Sequence, residues 1–161
     1  MRGGIWVLNI MAFVWVVAGV LLTGQPRWWL AVPAAVSVAL LLWARRAAGG
    51  APSPDSGDHV GRVVGIWSAI EGVAIFVTAN VLVNLHLPDA VMPAIAIIVG
   101  LHFFGLAKGI PVRLYYATGA ALVAIGAIAL AAPLWHMPLA LGVTAAVVLW
   151  LSGVALVRSA A

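Results

Sequence analysis

Glu71 is the one acidic residue set well inside a long apolar stretch, Val63–Leu85, and His102 lies within the next such stretch, Ala90–Ala107. A carboxylate near the centre of an apolar span costs about 2.5–3.5 kcal/mol or more, so a residue of this kind has a partner or a purpose. If the two stretches are helices of opposite direction, depth follows from counting. Glu71 is eight residues in from Val63, roughly 12 Å at the helical rise. His102 is six residues before Lys108, roughly 9 Å by the same rise. The two therefore share a depth, and Asn9 in the first apolar stretch falls at a comparable one. A carboxylate beside an imidazole can hold a proton or release it near neutral pH, the chemistry of a proton relay or a polar-substrate site. The same pair can also simply satisfy itself and fasten two helices together.

Trp67, Glu71 and Thr78 share a helical face by their spacing of four and seven, while Asn80 and Asn84 share the opposite one. Two polar stripes predict that this helix is buried, with Asn80 and Asn84 in interhelical hydrogen bonds. A vestibule at the outer end, including His86, is the sharper alternative.

Other chemistries find little support. The chain has no cysteine, which removes disulfides, thiolate metal sites and cysteine nucleophiles. Ser37, Ser68 and Ser152 have no neighbouring base and no nucleophile-elbow pattern. Asp55, Asp58 and His59 lie in a loop without a fourth fixed metal ligand. No phosphate loop, zinc-protease helix or haem-attachment motif occurs. The expectation is a protein that is not an enzyme and holds no cofactor or metal.

The elements that must position Glu71 and His102 are plain. Six stretches, Ile5–Thr23, Trp28–Ala44, Val63–Leu85, Ala90–Ala107, Leu114–Ala132 and Met137–Val157, fill most of the 161 residues. Each has the roughly 17–25 residues that a helix needs to cross a bilayer. Strands of a membrane barrel would alternate apolar and polar residues and be about half as long. The composition agrees: 65% of residues are hydrophobic and 7% charged, against about 45–50% and 25% in soluble domains. The predicted fold is all-α, a six-transmembrane-helix bundle forming one integral membrane domain over residues 1–161. Residues 45–62, rich in Gly, Pro, Ser and Asp, form its one long linker and read as a flexible cytoplasmic loop. The remaining links are short, which predicts antiparallel hairpins.

Basic residues orient the chain. Arg2, Arg45, Arg46, Arg62, Lys108, Arg113 and Arg158 fall at the termini and in the even-numbered loops, and only Arg27 lies in an odd one. Lysine and arginine are retained on the cytoplasmic side, so both termini are expected there, in the inner membrane of a bacterial cell. The first stretch is expected to be a retained helix, since Leu22-Thr23-Gly24-Gln25 lacks a small-x-small cleavage site. Trp6, Trp43, Trp67, Tyr115 and Tyr116 fall at the cytoplasmic ends, and Trp28, Trp29 and Trp135 at the outer ends, where amphipathic rings anchor at headgroup depth. Trp15 and Trp150 lie deeper and are expected to pack between helices. The partner is the lipid bilayer, with a small polar or ionic substrate in the transport reading. The basic residues are too scattered for nucleic acid.

Ala117, Ala120, Ala121, Ala124, Ala127 and Ala131 fall near one face of the fifth helix. Small side chains let backbones approach, so this helix is expected at the centre of the bundle or at a homo-oligomer contact. Gly61-x-x-x-Gly65 and Gly105-x-x-x-Gly109 have related spacing at helix ends. Gly4-Ile5-Trp6 is echoed by Gly65-Ile66-Trp67, which reads either as repeated hairpins or as the chance alignment of apolar sequences.

The run Gly100-Leu101-His102-Phe103-Phe104, followed by Tyr115-Tyr116 and Gly119, resembles a pattern in small uncharacterised six-helix bacterial membrane proteins. That pattern has a Gly-x-His-Phe-aromatic run in helix four and a Tyr at the start of helix five. A Pro often follows its aromatic pair, where Gly105 stands here. The resemblance implies a six-helix fold and draws attention to His102, without implying an activity. The leading functional expectation is a small-solute or proton-linked transporter or channel-like protein with a polar site at Glu71, His102, Asn9 and Trp67. The alternative is a membrane scaffold or accessory subunit in which these residues are structural.

The charge asymmetry makes a direct prediction. Reporters fused at Ala161 or within Gly49–Gly57 should report the cytoplasm, and reporters at Gln25 or Asp89 the outer side. A carboxy terminus found outside would overturn the orientation.

Overall fold

The structure, a computed structural model, describes residues 2–47, 58–110, 112–132 and 138–160. It contains six α-helices: α1 Arg2–Leu22, α2 Ala31–Ala47, α3 Asp58–Asn84, α4 Val91–Gly109, α5 Leu114–Ala131 and α6 Pro138–Ala160. Short 3-10 turns, Arg27–Leu30 and Pro88–Ala90, lead into α2 and α4. Among the described residues there is no strand. All six helices, with these turns, are long and apolar enough to cross a membrane, as the six stretches predict. The chain is all-α and reads as a multi-pass membrane protein.

The helices extend into the expected linker from both sides. Arg45 and Arg46 occupy the last turn of α2, where the helix dipole favours cations, and Asp58 the first turn of α3, where it favours anions. Residues 48–57, the rest of that loop, lie outside the described residues, as do residues 133–137 of the last link. Helix ends follow backbone chemistry. Gly24 takes a left-handed φ of 64°, and Gln25 N–H reaches back to the Val20 carbonyl at 3.1 Å, closing α1 in the manner glycine permits. His86 does the same for α3, with a φ of 60° and a Leu87 N–H to Leu82 carbonyl bond of 2.9 Å. A positive φ is uncommon outside glycine. His86 is thus the residue that stops α3.

The chain divides into two compact units, one of α1, α2 and α6 and one of α3, α4 and α5. In the first, α1 packs along α6 and α2. Leu8, Ala12, Val16 and Val20, four residues apart, are buried together with Leu141, Ala145 and Leu149 of α6. Gly19 and Gly142 bring the two backbones close: a Cβ at Gly19 would lie 2.9 Å from the Leu139 Cα, and one at Gly142 would strike the Trp15 carbonyl.

In the second unit α4 packs against both α3 and α5. A Cβ at Gly119 would lie 2.6 Å from the Gly100 carbonyl, and one at Gly100 2.7 Å from the Gly119 carbonyl. Two turns away, a Cβ at Gly126 would lie 2.7 Å from the Pro93 carbonyl. The α4–α5 seam is therefore made by glycine and not by the alanine face expected at the centre of the bundle. The buried face of α5 is Tyr115, Thr118, Gly119, Leu122, Gly126 and Ala129, whereas Ala117, Ala120, Ala124, Ala127 and Ala131 are exposed. The reason is steric: at Gly119 and Gly126, where the backbones come closest, even a methyl group would collide. A second correction concerns α3, which the two polar stripes marked as buried. None of its residues is buried, because it packs along a single stripe against α4.

Gly119→Ala should lower thermal stability in detergent by about 1–3 kcal/mol, the usual range for overpacking. Ala124→Leu, on the exposed face, should be nearly silent, and a reversed ranking would place the seam elsewhere.

Candidate functional site

His59, Val63, Trp67 and Glu71 are each four residues apart, so they form one line along α3. That line meets α4 one turn at a time. At the start, His59 Nε2 lies 3.3 Å from the Gly109 carbonyl. Because that oxygen only accepts, Nε2 must carry the proton and donate it, which satisfies one of the carbonyls left over at a helix end. Next, Val63 sits where a Cβ on Gly109 would be, and the Trp67 indole where a Cβ on Gly105 would be. Gly105-x-x-x-Gly109, read from sequence as a weak packing signal, is the pair of hollows that receives these two side chains. Gly105 has to lack a side chain for the indole to sit there.

One turn further on, Glu71 Oε2 lies 3.4 Å from His102 Nδ1. The sequence arithmetic of depth is met, and Trp67 is adjacent on the same stripe. The contact is close enough for an ion pair but long for a charge-assisted hydrogen bond, which lies near 2.7–2.9 Å. His102 Nδ1 is buried and makes no hydrogen bond, so the two groups face each other without being locked. The side chains are 10% exposed for His102 and 20% for Glu71, so water or lipid reaches the carboxylate more readily than the ring.

The far side of α4 ties the pair to α5. Phe103 contacts Tyr115 with ring centroids 5.7 Å apart, and Phe104 contacts Tyr116 at 6.2 Å. Together with Gly100 against Gly119, these contacts join the Phe103-Phe104 and Tyr115-Tyr116 pairs across the α4–α5 seam. That run holds the helix on which His102 stands.

Asn9, expected beside Glu71 and His102 from its depth, has its hydrogen-bond partners within its own unit. It lies in the first unit, where its amide nitrogen donates to the Ser37 carbonyl at 3.0 Å and its oxygen accepts from Trp150 Nε1 at 3.1 Å. Equal depth, which suggested Glu71 and His102 as company, says nothing about lateral position. The Trp150 partnership was missed, although a signal existed: a deep indole N–H needs an acceptor, and Asn9 is a polar group at matching depth. Asn80 and Asn84 are also corrected. Their amides donate within α3, Asn80 to the Phe76 carbonyl at 2.7 Å and Asn84 to the Asn80 carbonyl at 2.8 Å, and both residues are exposed. Each spares itself an interhelical partner by bonding one turn back. Among the described residues, no group of three or more metal-ligating side chains occurs.

The seating of Trp67 can be measured as a coupling. Gly105→Ala should destabilise the protein by about 1–3 kcal/mol, and the same change should be nearly silent beside Trp67→Ala, since the colliding ring is gone. Additive losses in detergent unfolding would show that the two do not touch.

Comparison with protein-family models, with curated proteins and with solved structures finds no match for the chain.

Proposed function

We propose that this chain is a small proton-linked or small-solute transporter, or a channel-like protein, whose working group is the Glu71–His102 pair. One observation supports the reading above others: a carboxylate and an imidazole face each other at 3.4 Å inside an apolar span without a hydrogen bond. A pair serving only as a fastener gains most from a short, aligned bond. A pair that stays open can take up a proton on either group and pass it on with little rearrangement. Between the pair and the start of α3, the seam is filled by Trp67 on Gly105 and Val63 on Gly109. In this reading Trp67 is the side chain that must move for the pair to open toward that end.

The reading places the protein in a bacterial inner membrane with both termini cytoplasmic, supported by the seven-to-one distribution of its basic residues. It invokes no catalytic step, cofactor or nucleic acid. A second reading, a scaffold or accessory subunit, is favoured by the regular fit of Val63 and Trp67 into glycine hollows, which is packing of an ordinary kind. There Glu71 and His102 would be the polar end of the same fastening.

Two measurements separate these readings. In detergent unfolding, Glu71→Gln and His102→Leu should each cost about 1–3 kcal/mol by stranding a polar partner, and the double variant should cost less than the sum. Both readings share that coupling. Only transport adds a flux: vesicles holding the protein should dissipate an imposed pH gradient faster than empty ones, and folded Glu71→Gln protein should lose the effect. Coupling without flux supports the fastener, and additive losses remove the pair altogether.

A further inference from the structure

The first unit carries a feature that the proposed function does not use. Between α1, α2 and α6 runs a narrow crevice whose walls are Ile5, Leu40, Trp43, Val154 and Val157. Gly153 opens it, since a Cβ there would meet nothing within 4 Å. Its inner end is the Asn9–Trp150 bond, so the polar groups that reach it are already engaged with each other. The volume is about 10 Å³, near the minimum for a single water. Such a space encloses no solute, and an apolar occupant such as a hydrocarbon chain would lie along its open side and not within it.

The walls end in charge. Arg46 stands one turn beyond Trp43 on α2, and Arg158 one turn beyond Val154 on α6, so each continues a wall of the crevice toward the helix end. Both are exposed. Arg45 also belongs to this end, with its guanidinium 5.2 Å from the centre of the Trp6 ring, a cation–π contact that holds it beside the start of α1. No acidic residue lies in α1, α2 or α6 to neutralise these cations.

We infer that this crevice is a binding site for an anionic phospholipid, one acyl chain lying between Trp43 and Val154 and the phosphate meeting Arg46 and Arg158. The apolar walls fit a chain, and the arginines, one beyond each wall, fit a phosphate, which guanidinium groups bind through two parallel hydrogen bonds. Neither half suffices: arginines at a helix end also arise from membrane orientation alone, and an apolar crevice in a bilayer takes any lipid. Their continuity along the same helix faces selects a lipid with a negative headgroup.

The test uses the full chain purified in detergent and titrated with phosphatidylglycerol, phosphatidylcholine or inorganic phosphate. Native mass spectrometry counts retained lipid, and thermal unfolding reads its effect. Phosphatidylglycerol should be retained and raise the unfolding temperature more than phosphatidylcholine, and inorganic phosphate should do neither. Arg46→Ala and Arg158→Ala should each weaken phosphatidylglycerol binding about fivefold, the scale for one basic residue at an anionic surface. Gly153→Leu, which fills the crevice, should reduce retention of the lipid with the arginines intact. Lys108→Ala with Arg113→Ala, in the second unit, should leave it unchanged. Equal retention of the two lipids, stabilisation by phosphate alone, or insensitivity to the arginines would overturn the site. Should Gly153→Leu fail to fold, the arginine variants decide, because these side chains are exposed and leave the packing intact.

Discussion

Gly100 and Gly119 let the backbones of α4 and α5 touch, each filling the space a side chain would take from the other. In a bilayer this kind of contact has to do what the hydrophobic effect does in water. Lipid tails are as apolar as leucine, so helices gain nothing by hiding apolar surface and associate through close packing and a few polar bonds. With α4 fixed against α5, the opposite side of α4 presents Gly109, Gly105 and His102 in a line. Val63, Trp67 and Glu71 of α3 have nowhere else to fit. The same device recurs in the first unit, where Gly19 and Gly142 bring α1 and α6 together.

The polar groups inside the spans are treated in three ways, and the contrast gives the candidate site its meaning. Asn9 uses both ends of its amide, bonding Ser37 of α2 and Trp150 of α6, and so joins the three helices of its unit. Asn80 and Asn84 bond to their own helix. Glu71 and His102 are brought within ion-pair distance without a hydrogen bond, and among the described residues the buried Ser37 hydroxyl is also left without one. A chain that satisfies its intramembrane amides leaves the one acid inside a span facing an imidazole without a hydrogen bond. That difference separates a working pair from a fastener in the proposal made for it.

Trp67 links the packing of α3 to this pair. It holds the turn immediately before Glu71 on the Gly105 backbone, so the position of the carboxylate depends on a contact that adds no polar group. Trp6, in the echo of the same short run, also lies against the end of the following helix, stacked with Arg45 instead of seated on glycine. The two indoles anchor hairpins by different chemistry, one by a cation and one by a hollow.

Sequence alone determined the six helices and their approximate ends, because only length and apolarity are needed to require a helix in hydrocarbon. It also determined the shared depth of Glu71 and His102, because depth along a helix is a matter of counting residues. It did not determine lateral neighbours. Asn9 had the right depth for Glu71 and a different set of helices around it. The alanines of α5 looked like the contact face, yet at the points of closest approach a Cβ would collide, so Gly119 and Gly126 hold the seam, while Ala117, Ala120, Ala124, Ala127 and Ala131 face outward. The two polar stripes of α3 suggested burial, and the outer one proved to satisfy itself within the helix. Which face of a helix meets which neighbour depends on interhelical distance, a property of the assembled tertiary structure that no single helix encodes.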